Sequence, residues 1–215
     1  MNRLRVRFGR AAELKFISHL DLTRLWHRLL RRAGIELAYS EGFNPRPRLS
    51  LAVPLQIGVT SEAELMDLFT TKTTTPQDFS SAVQPQLPPG LAVFQVFRIP
   101  LTVPALQASV THVDYKVAVL VPRGFNVASS ITSILDSPSI PWRHQRDTGT
   151  KCYDLRPLIT ALRLAGYDNS LATLDMKLQC GPQGTGRPEQ VVKAMGLPDP
   201  VSIHRIGLNI KTHHA

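Results

Sequence analysis

The stretch FISHLDLTRLWHRLLRRAGIELAYSEGFNPRPRLS, residues 16–50, decides the fold. Ser18 followed by Asp21 is an N-cap with an acidic third residue, which satisfies free N–H groups and sets negative charge at the positive end of a helix. The spacing therefore predicts a helix from His19. Leu22, Leu25, Trp26, Leu29 and Ala33 recur at three- and four-residue steps and draw one apolar stripe, until Gly34 supplies a left-handed stop. Arg24, His27, Arg28, Arg31 and Arg32 take the other faces. A short strand over 35–39 is expected next. After it comes SEGFNPRPRLS, residues 40–50, whose glycine and two prolines hold an irregular loop carrying an aromatic, an amide and two arginines.

Outward from this stretch, residues 3–8 alternate Arg3, Arg5 and Arg7 with Leu4, Val6 and Phe8, the period of a half-buried strand, so Arg5 and Arg7 are expected to share an exposed face. Further strands are expected at 49–53 and 91–99, and 64–69 reads as either a strand or a helix. A second helix over 76–86 opens with Thr75 as cap and Pro76 at its first position. The segment 100–107 lacks periodicity and reads as a linker. Beyond it, strands are expected at 112–121, 171–180 and 202–210, a helix around 127–135, and a hairpin pairing 142–146 with 151–155 around Asp147, Thr148 and Gly149. The fold class read from this order is α+β, two ferredoxin-like halves, each approximately β-α-β-β-α-β with extra strands. The expected domains are 1–107, with the basic helix and loop, and 108–215, with a glycine-rich loop.

Composition narrows the chemistry. Of 215 residues, 43% are hydrophobic and 19% charged, ordinary for a globular chain, and the net charge of +9 favours an anionic partner. The surplus is concentrated: residues 1–48 hold eleven Arg or Lys against four Asp or Glu. No leader-like segment and no membrane-length apolar run is seen, so a cytoplasmic setting is expected. Cys152 and Cys180 are the only cysteines, and two structural, buried thiols are expected in that setting. Two cysteines fall short of the set that holds a four-iron cluster.

The runs KFISHLDLTRLWHRLLRRAG, residues 15–34, and AYSEGFNPRPRLSLAVPLQIGVTSEAELMDL, residues 38–68, resemble the radical SAM-linked, or DUF2344, family of bacterial proteins. That resemblance implies a radical SAM partner enzyme and a setting among ribosomal-protein and RNA-processing genes. It implies no particular activity. The later segment GPQGTGRP, residues 181–188, lacks both the P-loop ending and the dinucleotide spacing. It is similar to the glycine-rich loop of CRISPR Cas6-type endoribonucleases, which also pair two ferredoxin-like domains. Gly184, Gly186 and Arg187 would then meet phosphate, unless the segment is a plain connector.

The expected RNA-contacting set is therefore Arg5, Arg7, Arg24, Arg28, Arg31, Arg32, Phe43, Asn44, Arg46 and Arg48, with those three residues of the glycine-rich segment. Guanidinium groups suit phosphates, while a ring and an amide suit unpaired bases. Phe43 reads equally as a core plug. His19 and Tyr39 are the weak candidates for catalysis. His27, two turns from His19, is given a surface role, and His213 and His214 fall in a tail. Asp154 and Arg156 are expected to be structural. No cofactor or metal is expected. The function expected is RNA binding in service of a radical SAM enzyme, against a metal-independent endoribonuclease or a protein-docking module without RNA contact.

Overall fold

The computed structural model describes residues 1–146 and 149–211. The hairpin tip at Asp147 and Thr148, with His213 and His214, lies outside the described residues. The chain forms two compact units, Met1–Val110 together with the segment from Ile210, and Thr111–Asn209. Their mixture of helices and antiparallel strands is α+β.

The first unit runs β1 (Asn2–Arg10), α1 (His19–Arg32), β2 (Leu49–Leu51), β3 (Thr60–Thr70), α2 (Pro76–Val83), β4 (Leu91–Arg98) and the short α3 (Leu106–Ser109). Its strands lie in the order β2-β3-β1-β4, each pair antiparallel. Alternation on β1 sends Leu4, Val6 and Phe8 to one face, where they join Leu22, Trp26, Leu29 and Leu30 of α1 and Phe79 and Val83 of α2 in one core. Phe8 meets Trp26 edge to face at 5.0 Å between ring centroids. Ser18 Oγ accepts from the Asp21 N–H at 3.1 Å, and Gly34 sits at φ 70°, so both ends of α1 close as their residues dictate. Thr75 and Asp78 cap α2 reciprocally, with Pro76 in its first turn.

Two expectations for this unit change, and one two-way reading closes. No strand forms over 35–39; isolated bridges join Leu37 to Thr70 and Tyr39 to Pro47 instead. Residues 60–70 are strand, the first of the two readings of 64–69. Arg5 is not on an exposed face: it is buried, as is Arg3, and both guanidinium groups donate to the buried Asp67 carboxylate, Arg3 at 2.6 Å and Arg5 at 2.7 Å. Arg3 also donates to the carbonyls of Val103 and Pro104, so the segment expected to be a linker covers this part of the sheet. Arg10, wholly buried, donates to the carbonyls of Ile17, Gln56 and Val59.

The second unit is formed by β5 (Val110–Leu120), α4 (Val127–Asp136), β6 (Pro141–Arg146), β7 (Gly149–Asp154), β8 (Ile159–Asp168), β9 (Leu171–Gly181), β10 (Gly184–Thr185), α5 (Pro188–Ala194) and β11 (Ser202–Ile210). The strands β9, β5 and β11 follow one another across its sheet, with β8 and β10 both paired to β9, and β6–β7 is a separate hairpin. Val113, Val117 and Val119 of β5 stand opposite Leu178, Leu174 and Ala172 of β9, all buried. The strand β8 is unpredicted, because only Ile159 and Leu162 of its ten residues are buried and no apolar alternation marks it. Asp154 accepts from the N–H groups of Ile140 and Arg156, and Arg156 donates to the Leu135 and Ile159 carbonyls. Both are structural. Both cysteines are free thiols; Cys180 is buried as expected, whereas Cys152 is exposed on β7.

Candidate nucleic-acid interface

Between α1 and β2 the chain doubles back on itself. Ala38 N–H donates to Phe69 O at 2.7 Å, Arg48 N–H to Ala38 O at 2.7 Å and Ser40 N–H to Arg46 O at 2.8 Å. Ser40 Oγ accepts from Arg46 N–H at 3.0 Å. These bonds clamp the base of the loop to β3, and Pro45 and Pro47 limit its backbone, so its tip is presented rather than loose. At the tip Phe43 is fully exposed, with a relative exposure of 105%, which removes the core-plug reading. Tyr39, Asn44 and Arg46 are exposed too. Arg48 lies over the Phe69 ring at 4.0 Å and donates to the Met1 sulfur, so its guanidinium is held flat against β3.

The arginines of α1 stand nearby in the chain. At 100° per residue, Arg24, Arg28 and Arg31 fall on the side of the helix opposite Leu22, Trp26 and Leu29, with Arg32 on its flank, and all four are exposed. Arg24 bonds Asp21 at 3.2 Å, whereas Arg28, Arg31 and Arg32 make no ion pair among the described residues. Arg31 and Arg32 occupy the last turn, the end from which the chain passes through Gly34 to the loop. Positive side chains there also suit the negative pole of the helix. Arg7 is half-buried, donates weakly to the Glu62 carbonyl at 3.4 Å and lies 5.7 Å from the centroid of the Phe94 ring. The first unit thus gathers a ring, an amide and uncompensated guanidinium groups at the loop end of α1, and Arg5 is withdrawn from that set by burial.

His19 and Tyr39 do not meet. His19 begins α1 and feels the Glu64 charge, while Tyr39 follows the far end of a 14-residue helix, about 21 Å long, and pairs beside the other end of β3. Burial lowers the His19 pKa, with Glu64 opposing. Burial lowers that of His27 as well, and its Nε2 is buried without a hydrogen-bond partner, so His27 is part of the packing and not the surface residue expected. The glycine-rich segment also differs from an open phosphate cradle. A Cβ on Gly184 would approach a Leu158 methyl to 2.8 Å, and one on Gly186 would approach the Leu158 carbonyl to 2.9 Å. These glycines admit Leu158, Gly186 is buried, and the helix they lead to has only seven residues. Arg187 is the N-cap of that helix and makes no side-chain cap. Among the described residues no group of His, Cys, Asp and Glu is arranged to hold a metal ion, and no helix is long and apolar enough to cross a membrane.

The fold and this surface define an α+β protein of two compact units, the first carrying a basic helix and a braced, aromatic-tipped loop. The chain belongs to the family described as an uncharacterized protein conserved in bacteria (DUF2344), whose model matches residues 3–188. No curated protein matches the sequence. Among solved structures, a chain of the crystal structure of a Cbf5-Nop10-Gar1 complex is similar with a TM-score of 0.55 and 7% identity, covering 94% of this chain and 47% of that one. A chain of the archaeal box H/ACA sRNP Nop10-Cbf5 complex is similar with a TM-score of 0.48 and 9% identity, covering 94% and 46%. This protein spans about half the length of those chains. Both are Cbf5 complexes and not Cas6-type endoribonucleases, and at 7% identity the likeness to the first is one of fold alone.

Proposed function

We propose that this protein binds RNA through its first unit and presents it to a radical SAM enzyme, without transforming the RNA itself. The observation that carries the RNA part is Phe43, fully exposed at the tip of a loop clamped to β3. An exposed phenyl ring is unfavourable in water, and a hydrogen-bonded base keeps it in place for stacking. Arg28, Arg31, Arg32 and Arg46 supply the cations that meet phosphates on any sequence. The antiparallel order β4-β1-β3-β2 under two helices supports reading the first unit as ferredoxin-like, and β11-β5-β9-β8 supports the same reading of the second, with β6–β7 as an insertion. The radical SAM partner rests on the family resemblance of residues 15–34 and 38–68. The endoribonuclease alternative would use His19 or Tyr39 singly, since the two stand near opposite ends of α1.

Crosslinking and sequencing the RNA held by the protein in its own cells, with the partner enzyme present and deleted, tests both parts. A defined RNA class is expected in both samples. Background RNA alone would remove the RNA reading, and failure of any radical SAM enzyme to co-purify would remove the presenting role.

A further inference from the structure

The outward face of the first sheet carries aromatic rings that neither the core nor the loop uses. On β4, Phe94 is 49% exposed and Phe97 44% exposed. Residues three apart on a regular strand point to opposite faces. Here the register between β1 and β4 shifts, Arg7 standing opposite Gln95 and Phe8 opposite Val93, so Phe94 is the extra residue of a bulge. Its ring lies over Gly9, where an added Cβ would come within 2.8 Å of it, and Gly9 points away from the core. Phe97 pairs with Arg5, which points outward with Asp67. The bulge therefore brings both rings to one face, about 10 Å apart along the strand.

Charge on that face favours an anion. Its register positions on β1 and β3 hold Arg3, Arg5 and Arg7 against one carboxylate, Asp67. Asp67 is taken up by Arg3 and Arg5, leaving Arg7 beside Phe94 without an acidic partner among the described ion pairs. Gly9 leaves room for the Phe94 ring, and the Arg7 guanidinium lies over that ring, 5.7 Å from its centroid. Half-exposed rings flanked by a guanidinium are what unpaired bases stack upon, with phosphate following the cation.

We propose that this face, along β4, is a second stacking surface for single-stranded RNA, with Phe94 and Phe97 as the platforms and Arg7 as the phosphate contact. The proposal rests on the RNA reading above and extends the bound strand beyond the loop.

The test uses the full chain and a fluorescein-labelled oligouridine, with Phe97→Ala, Phe94→Leu and, as a loop control, Phe43→Ala. Each β4 variant should weaken binding roughly 5- to 150-fold, with the salt dependence unchanged because no phosphate contact is lost. Photocrosslinking with 4-thiouridine in the oligonucleotide should label the peptide 91–98. Should Phe94→Leu melt early, Phe97→Ala decides alone, since it leaves Gly9 covered. Wild-type affinity in Phe97→Ala with no label on 91–98, while Phe43→Ala weakens binding, would overturn this surface and leave the loop standing. A wild-type chain that binds no RNA at low salt removes both. Loss of a co-purifying protein from the β4 variants with RNA affinity intact would assign the face to a protein partner and overturn the proposal.

Discussion

One Asp67 carboxylate is shared by two buried guanidinium groups, so Asp67→Asn leaves Arg3 and Arg5 beside each other with no compensating charge. A loss of about 3–5 kcal/mol in urea titration is expected, as for removal of one partner from a buried pair. Alternation alone placed these arginines on the face away from the core, which is right. It could not reveal that Asp67, distant in sequence, and the carbonyls of Val103 and Pro104 close over them. Phe43 shows the reverse: a phenyl ring in a proline-braced loop suits a core or a ligand equally in sequence, and only its exposure decides. Phe43→Ala should leave the melting temperature unchanged and lower preference for the true RNA over a scrambled competitor by about 1–3 kcal/mol. Competition binding at fixed salt measures this, and equal losses for both RNAs would refute a specificity role.

At the scale of elements, the limits of α1 were legible because one stripe, one cap and one glycine agree on them, whereas the buried Leu30 lay outside that stripe. Leu29 is wholly buried and Leu25 only partly, so Leu29→Ala should cost about 2–5 kcal/mol and Leu25→Ala distinctly less, read from denaturant midpoints. Replacing Arg24, Arg28, Arg31 and Arg32 together by Gln should preserve the circular dichroism melt, since none touches the core, while weakening RNA binding and flattening its salt dependence. Residues 35–39 look like a strand because Ile35, Leu37 and Tyr39 alternate with polar or small neighbours, yet the chain is turned by Gly34 and makes only bridges. Strand β8 escaped notice for the opposite reason: it is an outer strand whose residues mostly face water. The bulge at Phe94 left no mark in the sequence, because a bulge belongs to the pairing of two strands and not to either one.

For the molecule as a whole, stability should depend on pH through two partly buried imidazoles. Burial lowers the pKa of His19 and His27 below the ordinary 6.5, so the unfolded chain binds more protons than the folded one as pH falls through that value. Stability is therefore fully present above the unfolded value and is lost on acidification toward the folded one. Urea midpoints should fall between about pH 7.5 and about pH 5.5, and His27→Gln should make that fall shallower. An unchanged slope would mean that His27 is protonated without penalty.

The second unit begins at Thr111 and ends at Asn209, and these residues meet, Thr111 Oγ donating to Asn209 O at 3.2 Å. Just outside them, Lys211 N–H donates to Ser109 O at 2.8 Å. To the first unit, the whole second unit is one long loop with its ends tied. Closing an unfolded loop of that size costs about 4 kcal/mol in chain entropy, against about 2 for a ten-residue turn. Once the inserted portion has folded, its own strands hold the two ends together and that entropy is already spent. Each substitution that loosens the inserted portion thus reopens a tether on its host, and damage passes from one to the other through connectivity of the polymer, with no side chain carrying the message.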